Sequence, residues 1–153
     1  MSEQIQLFDN RMYVELPAST TKMPQDMVQR LYRQENRPQQ FFYREEGELY
    51  FTFSLYDKPL KNESVASAIH GMKNVVEAAH PLSIIDQTDV LRQGRNHCGY
   101  FAFRSPSVDQ ERYNLMYVTA VKGRMMLGTC SCPLEDEDSI SLFGQVLLSI
   151  KDR

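Results

Sequence analysis

Two β-rich stretches near the C-terminal end, Arg112 to Val121 and Arg124 to Cys132, are separated only by Lys122-Gly123. No other feature limits the fold as much. A connection this short joins antiparallel neighbours, whereas parallel strands need a crossover of about a dozen residues or more. Two further β-rich stretches precede them, Ser83 to Leu91 and His97 to Arg104, with turn-like breaks at Gly94-Arg95-Asn96 and Ser105 to Gln110. The four read as a meander. Upstream, Phe41 to Tyr43 and Leu49 to Tyr56 flank the polar break Arg44 to Glu48, where Gly47 suits a turn. Leu49, Phe51, Phe53 and Leu55 alternate with Tyr50, Thr52, Ser54 and Tyr56, so one face of that strand is core. Ile5 to Phe8 and Met12 to Leu16 surround Asp9-Asn10, residue types that tolerate the left-handed turn of an opening hairpin.

Helical periodicity appears in three places. Pro24 to Arg33 spaces Met27, Val28 and Leu31 for a short helix, with Pro24 tolerable only in its first turn. Glu63 to Ala79 repeats Val65, Ile69, Met72, Val76 and Ala79 at steps of three and four, with Asn62 as the cap candidate and Pro81 as the stop. Ile140, Phe143, Val146, Leu147 and Ile150 make a single apolar stripe for a last helix. Strands such as Arg112 to Val118 carry apolar or aromatic residues on both faces, which calls for helices over part of each side. The expected class is α+β: an antiparallel, largely meandering sheet of about six or more strands with an N-terminal hairpin, flanked by a long central helix and a C-terminal helix.

No repeat, low-complexity tract or linker divides the 153 residues, so one domain over residues 1–153 is expected, burying roughly 70% of its unfolded surface. Seventeen basic against twenty acidic residues give a net charge of -3, which excludes the positive field that nucleic acid or an anionic membrane would require. The N-terminus MSEQIQLFDN lacks a basic leader and an apolar run, and no apolar stretch of spanning length occurs. With only three cysteines, free thiols in a reducing compartment are the expectation, and the reading is cytoplasmic.

If the chain carries visible chemistry, it lies in Gly128 to Ser139, where Cys130 and Cys132 run into Glu135, Asp136, Glu137 and Asp138. On a strand the two thiols face one way about 6.6 Å apart, near the limit of a relaxed disulfide. Structural zinc wants four thiolate or imidazole ligands, usually as two close pairs, and His97-Cys98 is the available second pair. Adjacent strand residues face opposite sides, so the set stops at three: Cys98, Cys130 and Cys132. The same geometry disfavours a His97-Cys98 nucleophilic dyad. Cysteine packs readily as a small hydrophobe, and packing is the preferred account, with a thiol or metal protein as the alternative.

The acidic run suits a helix N-terminus and lacks the alternating spacing and turn glycine of a calcium loop. His70 and His80 would lie about 15 Å apart on a helix, too far to share an ion. Neither a phosphate loop nor a dinucleotide fingerprint is present, and no cofactor is expected. Arg30, Arg33 and Arg37, beside Gln34, Gln39 and Gln40, read as a solvated face before an acidic-partner patch. Eight tyrosines and eight methionines fill a core more readily than they build an adaptable binding surface.

The order of elements resembles the Mog/PsbP superfamily. The resemblance rests on the hairpin strand Met12 to Pro17 with its leucine-proline end, the long central helix, the antiparallel series closing on Lys122 to Leu127, and the last helix Ser141 to Lys151. It spans nearly the whole chain, which has no tryptophan where members often carry one. It implies an antiparallel sheet flanked by helices and a non-catalytic protein that binds other proteins or supports an assembly. No site residue is carried over. Bacterial members of unknown role are the nearer company. The expected function is therefore a protein-binding or assembly-support module rather than an enzyme, with a secretion-chaperone-like or toxin-immunity role as the alternative. The expected partner is another protein, and an exposed sheet edge would permit a homodimer.

Overall fold

The structure is a computed structural model that describes residues 2–32, 37–92, 96–106 and 111–152, the side chain of Pro106 excepted. The chain opens with β1 (Ser2–Leu7), β2 (Met12–Pro17), β3 (Thr21–Lys22) and α1 (Gln25–Leu31), followed by β4 (Gln40–Arg44) and β5 (Leu49–Pro59). A single 3-10 turn, Asn62–Ser64, leads into α2 (Val65–Ala79). Then come β6 (Ile84–Ile85), β7 (Asp89–Leu91), β8 (Cys98–Pro106), β9 (Glu111–Val121), β10 (Arg124–Pro133), α3 (Glu137–Ser149) and β11 (Lys151–Asp152).

The main sheet has the order β3-β4-β5-β10-β9-β8-β6, with β7 also paired to β8, and every pairing is antiparallel. It is the expected α+β architecture, made of two meanders, β3-β4-β5 and β8-β9-β10, joined by β5 against β10. The β9–β10 connection is a tight turn in which Lys122 (φ 53°) and Gly123 (φ 74°) both take the left-handed conformation that matches strand twist. The opening hairpin forms a second, three-stranded sheet in the order β1-β2-β11. Its loop is wider than two residues, with Phe8, Asp9 and Asn10 all at positive φ and the Arg11 amide donating to the Leu7 carbonyl at 3.1 Å.

Side-chain alternation splits the core between the two sheet faces. On one face Phe51, Phe53, Tyr117, Met126 and Cys130 pack with Val14, Leu16, Phe143 and Val146 from the hairpin and α3. On the other, Val65, Ile69 and Val76 of α2 pack on Phe101, Val118 and Ala120. α2 comes close because Gly99 faces it. A Cβ on that glycine would stand 2.9 Å from both Ile69 Cγ2 and Val65 Cγ1.

Several local expectations change. Ser83 to Leu91 is not one strand: β6 and β7 are separated by Asp86-Gln87-Thr88, where the Asp86 amide donates to the Ala102 carbonyl (2.9 Å) and Asp86 is a residue type that disfavours strands. Asn62 does not cap α2. Its Oδ1 accepts instead from the His97 amide (2.9 Å), and Ser64 precedes the helix without a side-chain cap. Ala79, counted in the α2 stripe, is exposed at the helix end. Thr52 and Ser54, on the face of β5 opposite Phe51 and Phe53, are buried too, Thr52 against the Thr129 hydroxyl and Ser54 accepting from the Gln39 amide. α1 ends at Leu31, and Arg33, Gln34, most of the Gly94-Arg95-Asn96 break and 107–110 lie outside the described residues.

Candidate functional site

The segment that raises the question of chemistry folds as strand, stop and helix start. Cys130 and Cys132 end β10 on the hairpin side of the sheet, and Pro133 closes the strand. Asp136 then caps α3: its Oδ1 accepts from the Ser139 amide at 3.1 Å and its Oδ2 from the Ser139 hydroxyl at 2.6 Å. Glu137 and Asp138 occupy the first turn, where carboxylates favour the positive end of the helix. Cys98, Cys130 and Cys132 are all buried and free. Burial raises the thiols of Cys98 and Cys132 to about 12, the latter helped by Asp136 and opposed by Arg112, and raises Cys130 well above its ordinary range. Such thiols lack the electropositive, partly exposed setting that yields a nucleophilic thiolate. Among the described residues, no three His, Cys, Asp or Glu side chains converge so as to hold an ion. His70 and His80 are exposed on and after α2, while the His97 backbone bridges Asn62 and the Thr119 hydroxyl. Arg30 and Arg37 are exposed, and Gln39 is engaged by the Leu55 backbone through both amide atoms.

Arg112 was not singled out by sequence pattern. It is only 5% exposed, with its guanidinium 4.1 Å over the Tyr50 ring, Nε donating to Ser131 Oγ (2.8 Å) and Nη2 to the Glu48 carbonyl (2.6 Å). Burial pulls its pKa down, and the contacts tie the β4–β5 turn to β9 and β10. An arginine opening a strand looks like any polar flank in a sequence, and only the register places it beneath that turn.

An open apolar concavity lies elsewhere. Between α3 and the exposed part of β7, β8 and β9 runs a groove of about 420 Å³. Its floor is Leu91, Tyr100, Tyr113 and Leu115, and its wall is Ile140, Gly144 and Leu148 of α3. Leu148 is 52% exposed, and a Cβ on Gly144 would meet nothing within 4 Å. Tyr113 is held from behind by Phe143, ring to ring at 6.5 Å, and its hydroxyl is pushed up by burial first and then by Asp86. The Tyr100 hydroxyl points to Asp89 Oδ2 at 3.5 Å. Sequence periodicity missed the groove, because its floor comes from three strands whose adjacency is set by pairing. The one local signal is Leu148, which departs from the side of α3 that carries Phe143 and Val146.

Two packed faces of an antiparallel sheet, with a hairpin sheet beside the last helix, make an α+β fold similar to those of solved PsbP and Mog1 structures. It matches the solution structure of the cyanobacterial PsbP protein CyanoP from Synechocystis sp. PCC 6803 with a TM-score of 0.67 at 15% identity, over 99% of this chain and 92% of that one. It matches the Saccharomyces cerevisiae Ran-binding protein Mog1p with a TM-score of 0.57 at 10% identity, over 99% and 95%. The Mycobacterium tuberculosis protein LpqN, involved in cell envelope biogenesis, matches with a TM-score of 0.59 at 9% identity, over 99% and 90%. No protein-family model and no curated protein sequence matches the chain.

Proposed function

We propose that this chain is a non-catalytic protein-binding or assembly-support module of the bacterial cytoplasm that receives a protein partner in the groove beside α3. The observation that carries this reading is the groove itself: a concave, apolar surface with a half-exposed leucine on its wall, on the rigid face of a paired sheet. Two facts support it. The thiols, the residues best suited to covalent or metal chemistry in this sequence, are interior packing with their proton affinity raised. A neighbour of the same fold in yeast is a Ran-binding protein, which shows the scaffold used for binding, although fold alone transfers no partner. No helix among the described residues is long and apolar enough to cross a membrane.

A photo-crosslinking amino acid at Leu148, introduced in the native host, tests the reading against the same group at Val75 on α2. A protein adduct formed at Leu148, absent at Val75 and lost when Gly144→Tyr fills the groove, is the expected result. An adduct with a second copy of the chain makes that partner a homodimer. Adducts indifferent to the Gly144 substitution, or turnover of a small molecule by the purified protein, overturn it.

A further inference from the structure

We infer that the groove beside α3 takes an amphipathic helix of the partner, its apolar side chains on the tyrosine-leucine floor and its lysines or arginines over an acidic rim. This rests on the proposed binding function and adds the chemistry of what binds. The floor consists of side chains on a sheet face and the wall is a helix flank, and the one strand edge at the floor, β7, is only three residues long, too short to pair with an extended occupant of the groove's length. An occupant must satisfy its own N–H and C=O groups, which a helix does internally and an extended peptide does not. Helices pack about 8–10 Å apart, and Gly144, with open space above its Cα, permits such an approach to α3.

The charge around the groove decides the polar face of that helix. Residues 137, 141, 144 and 148 follow one row along α3, so Glu137 stands directly above Gly144 and Leu148 at the N-terminal end of the wall. Asp89 pairs with Tyr100 across β7 and β8 and shares its face, and Glu111 shares the face of Tyr113 on β9 by alternation. Asp86 acts on the Tyr113 hydroxyl. Against these carboxylates stand Arg104, on the Tyr100 face of β8, and Arg92, just beyond Leu91 at the far end. All six of these charged residues are exposed, and four carboxylates against two arginines leave the surroundings of the groove net acidic, so a cationic helix is favoured there.

The test is fluorescence anisotropy at low salt with synthetic helices of about five turns. One has a leucine face and a lysine face, a second has glutamate in place of lysine, and a third scrambles the lysine sequence so that no apolar face forms. The lysine helix is expected to bind about tenfold or more tighter than the other two, and Gly144→Tyr to weaken it by a similar factor. Combining Glu137→Gln, Asp86→Asn and Asp89→Asn is expected to bring the lysine and glutamate helices within about threefold of each other while the fold, read by circular dichroism, is unchanged. Equal binding of the lysine and glutamate helices by the native protein overturns the charge inference and leaves the binding proposal standing. Equal binding of the scrambled peptide, indifference to Gly144→Tyr, or no binding of either helix overturns the helix-in-groove inference, and the Leu148 crosslink then decides the broader reading separately.

Discussion

Tyr117 and Gly128 are directly opposed on β9 and β10, and the tyrosine ring occupies the space a side chain at 128 would need. Its hydroxyl is fully buried and has no hydrogen-bond partner among the described residues. A buried hydroxyl left unpaired costs about 1–3 kcal/mol, so Tyr117→Phe, which keeps the ring over the glycine, is expected to stabilise the protein by about 1 kcal/mol or more. Urea denaturation reads this directly, and a loss of stability would mean that the hydroxyl has a partner. The thiols make a pH prediction. Cys98 and Cys132 rise from an ordinary value of 9.0 to about 12 because burial penalises the thiolate. In that window the unfolded chain loses protons that the folded chain keeps, so the stabilisation is whole below pH 9 and drains away as pH climbs toward 12. Each thiol adds a slope of up to about 1.4 kcal/mol per pH unit. Denaturation midpoints measured at successive pH values should fall across this range, and Cys98→Ala should flatten the fall whatever it does to the absolute stability. A slope untouched by that substitution would mean Cys98 ionises alike in both states. The cysteines were legible as packing from residue type alone. The Tyr117–Gly128 pair was not, because a sequence shows a glycine in a strand without showing which ring lies across from it.

α3 begins where local chemistry says it should. Pro133 stops β10, Asp136 supplies both acceptors for Ser139, and two more carboxylates fill the first turn. Asp136→Ala removes the cap and is expected to cost about 1 kcal/mol, while Asp136→Asn, which keeps an acceptor, should cost less. Thermal denaturation of the two variants separates capping from charge, and equal losses would assign the effect to charge alone. This element was readable because every cause lies within a turn of the chain. The same holds for the β9–β10 turn and for the apolar rows of α2. It fails at Asn62, whose cap-like position is overridden by a bond to the His97 amide, 35 residues away. It fails again at the groove, where α3 contributes one wall and the floor depends on β7, β8 and β9 being neighbours. Local pattern specifies elements; which elements enclose a surface is fixed by pairing between distant segments.

At the scale of the molecule, the β5–β10 seam carries the sheet, because it joins a meander made before α2 to one made after it. Thr52 and Thr129 meet hydroxyl to hydroxyl across that seam, and the buried Arg112 fastens the β4–β5 turn to the strands beyond it. α2 lies on one face, and the three thiols lie with the hairpin and α3 on the other, so the sheet is the sole layer between the two packed clusters. If residues 1–153 make one domain, loosening either face must expose the other. Ile69→Ala removes a fully buried side chain of α2 and is expected to cost about 2–5 kcal/mol. Thiol alkylation under native conditions, with reagent slow relative to reclosing, then measures the population of open molecules. For a cooperative domain, the labelling of Cys98, Cys130 and Cys132 should accelerate together by about 30-fold or more, the factor set by the loss of stability. If the α2 face frays alone, urea denaturation followed by circular dichroism will register the loss while the thiols keep their native labelling rate, and the two faces must then be described as separate units. A fold of this topology predicts the first outcome, because β8, β9 and β10 each send alternate side chains into both clusters.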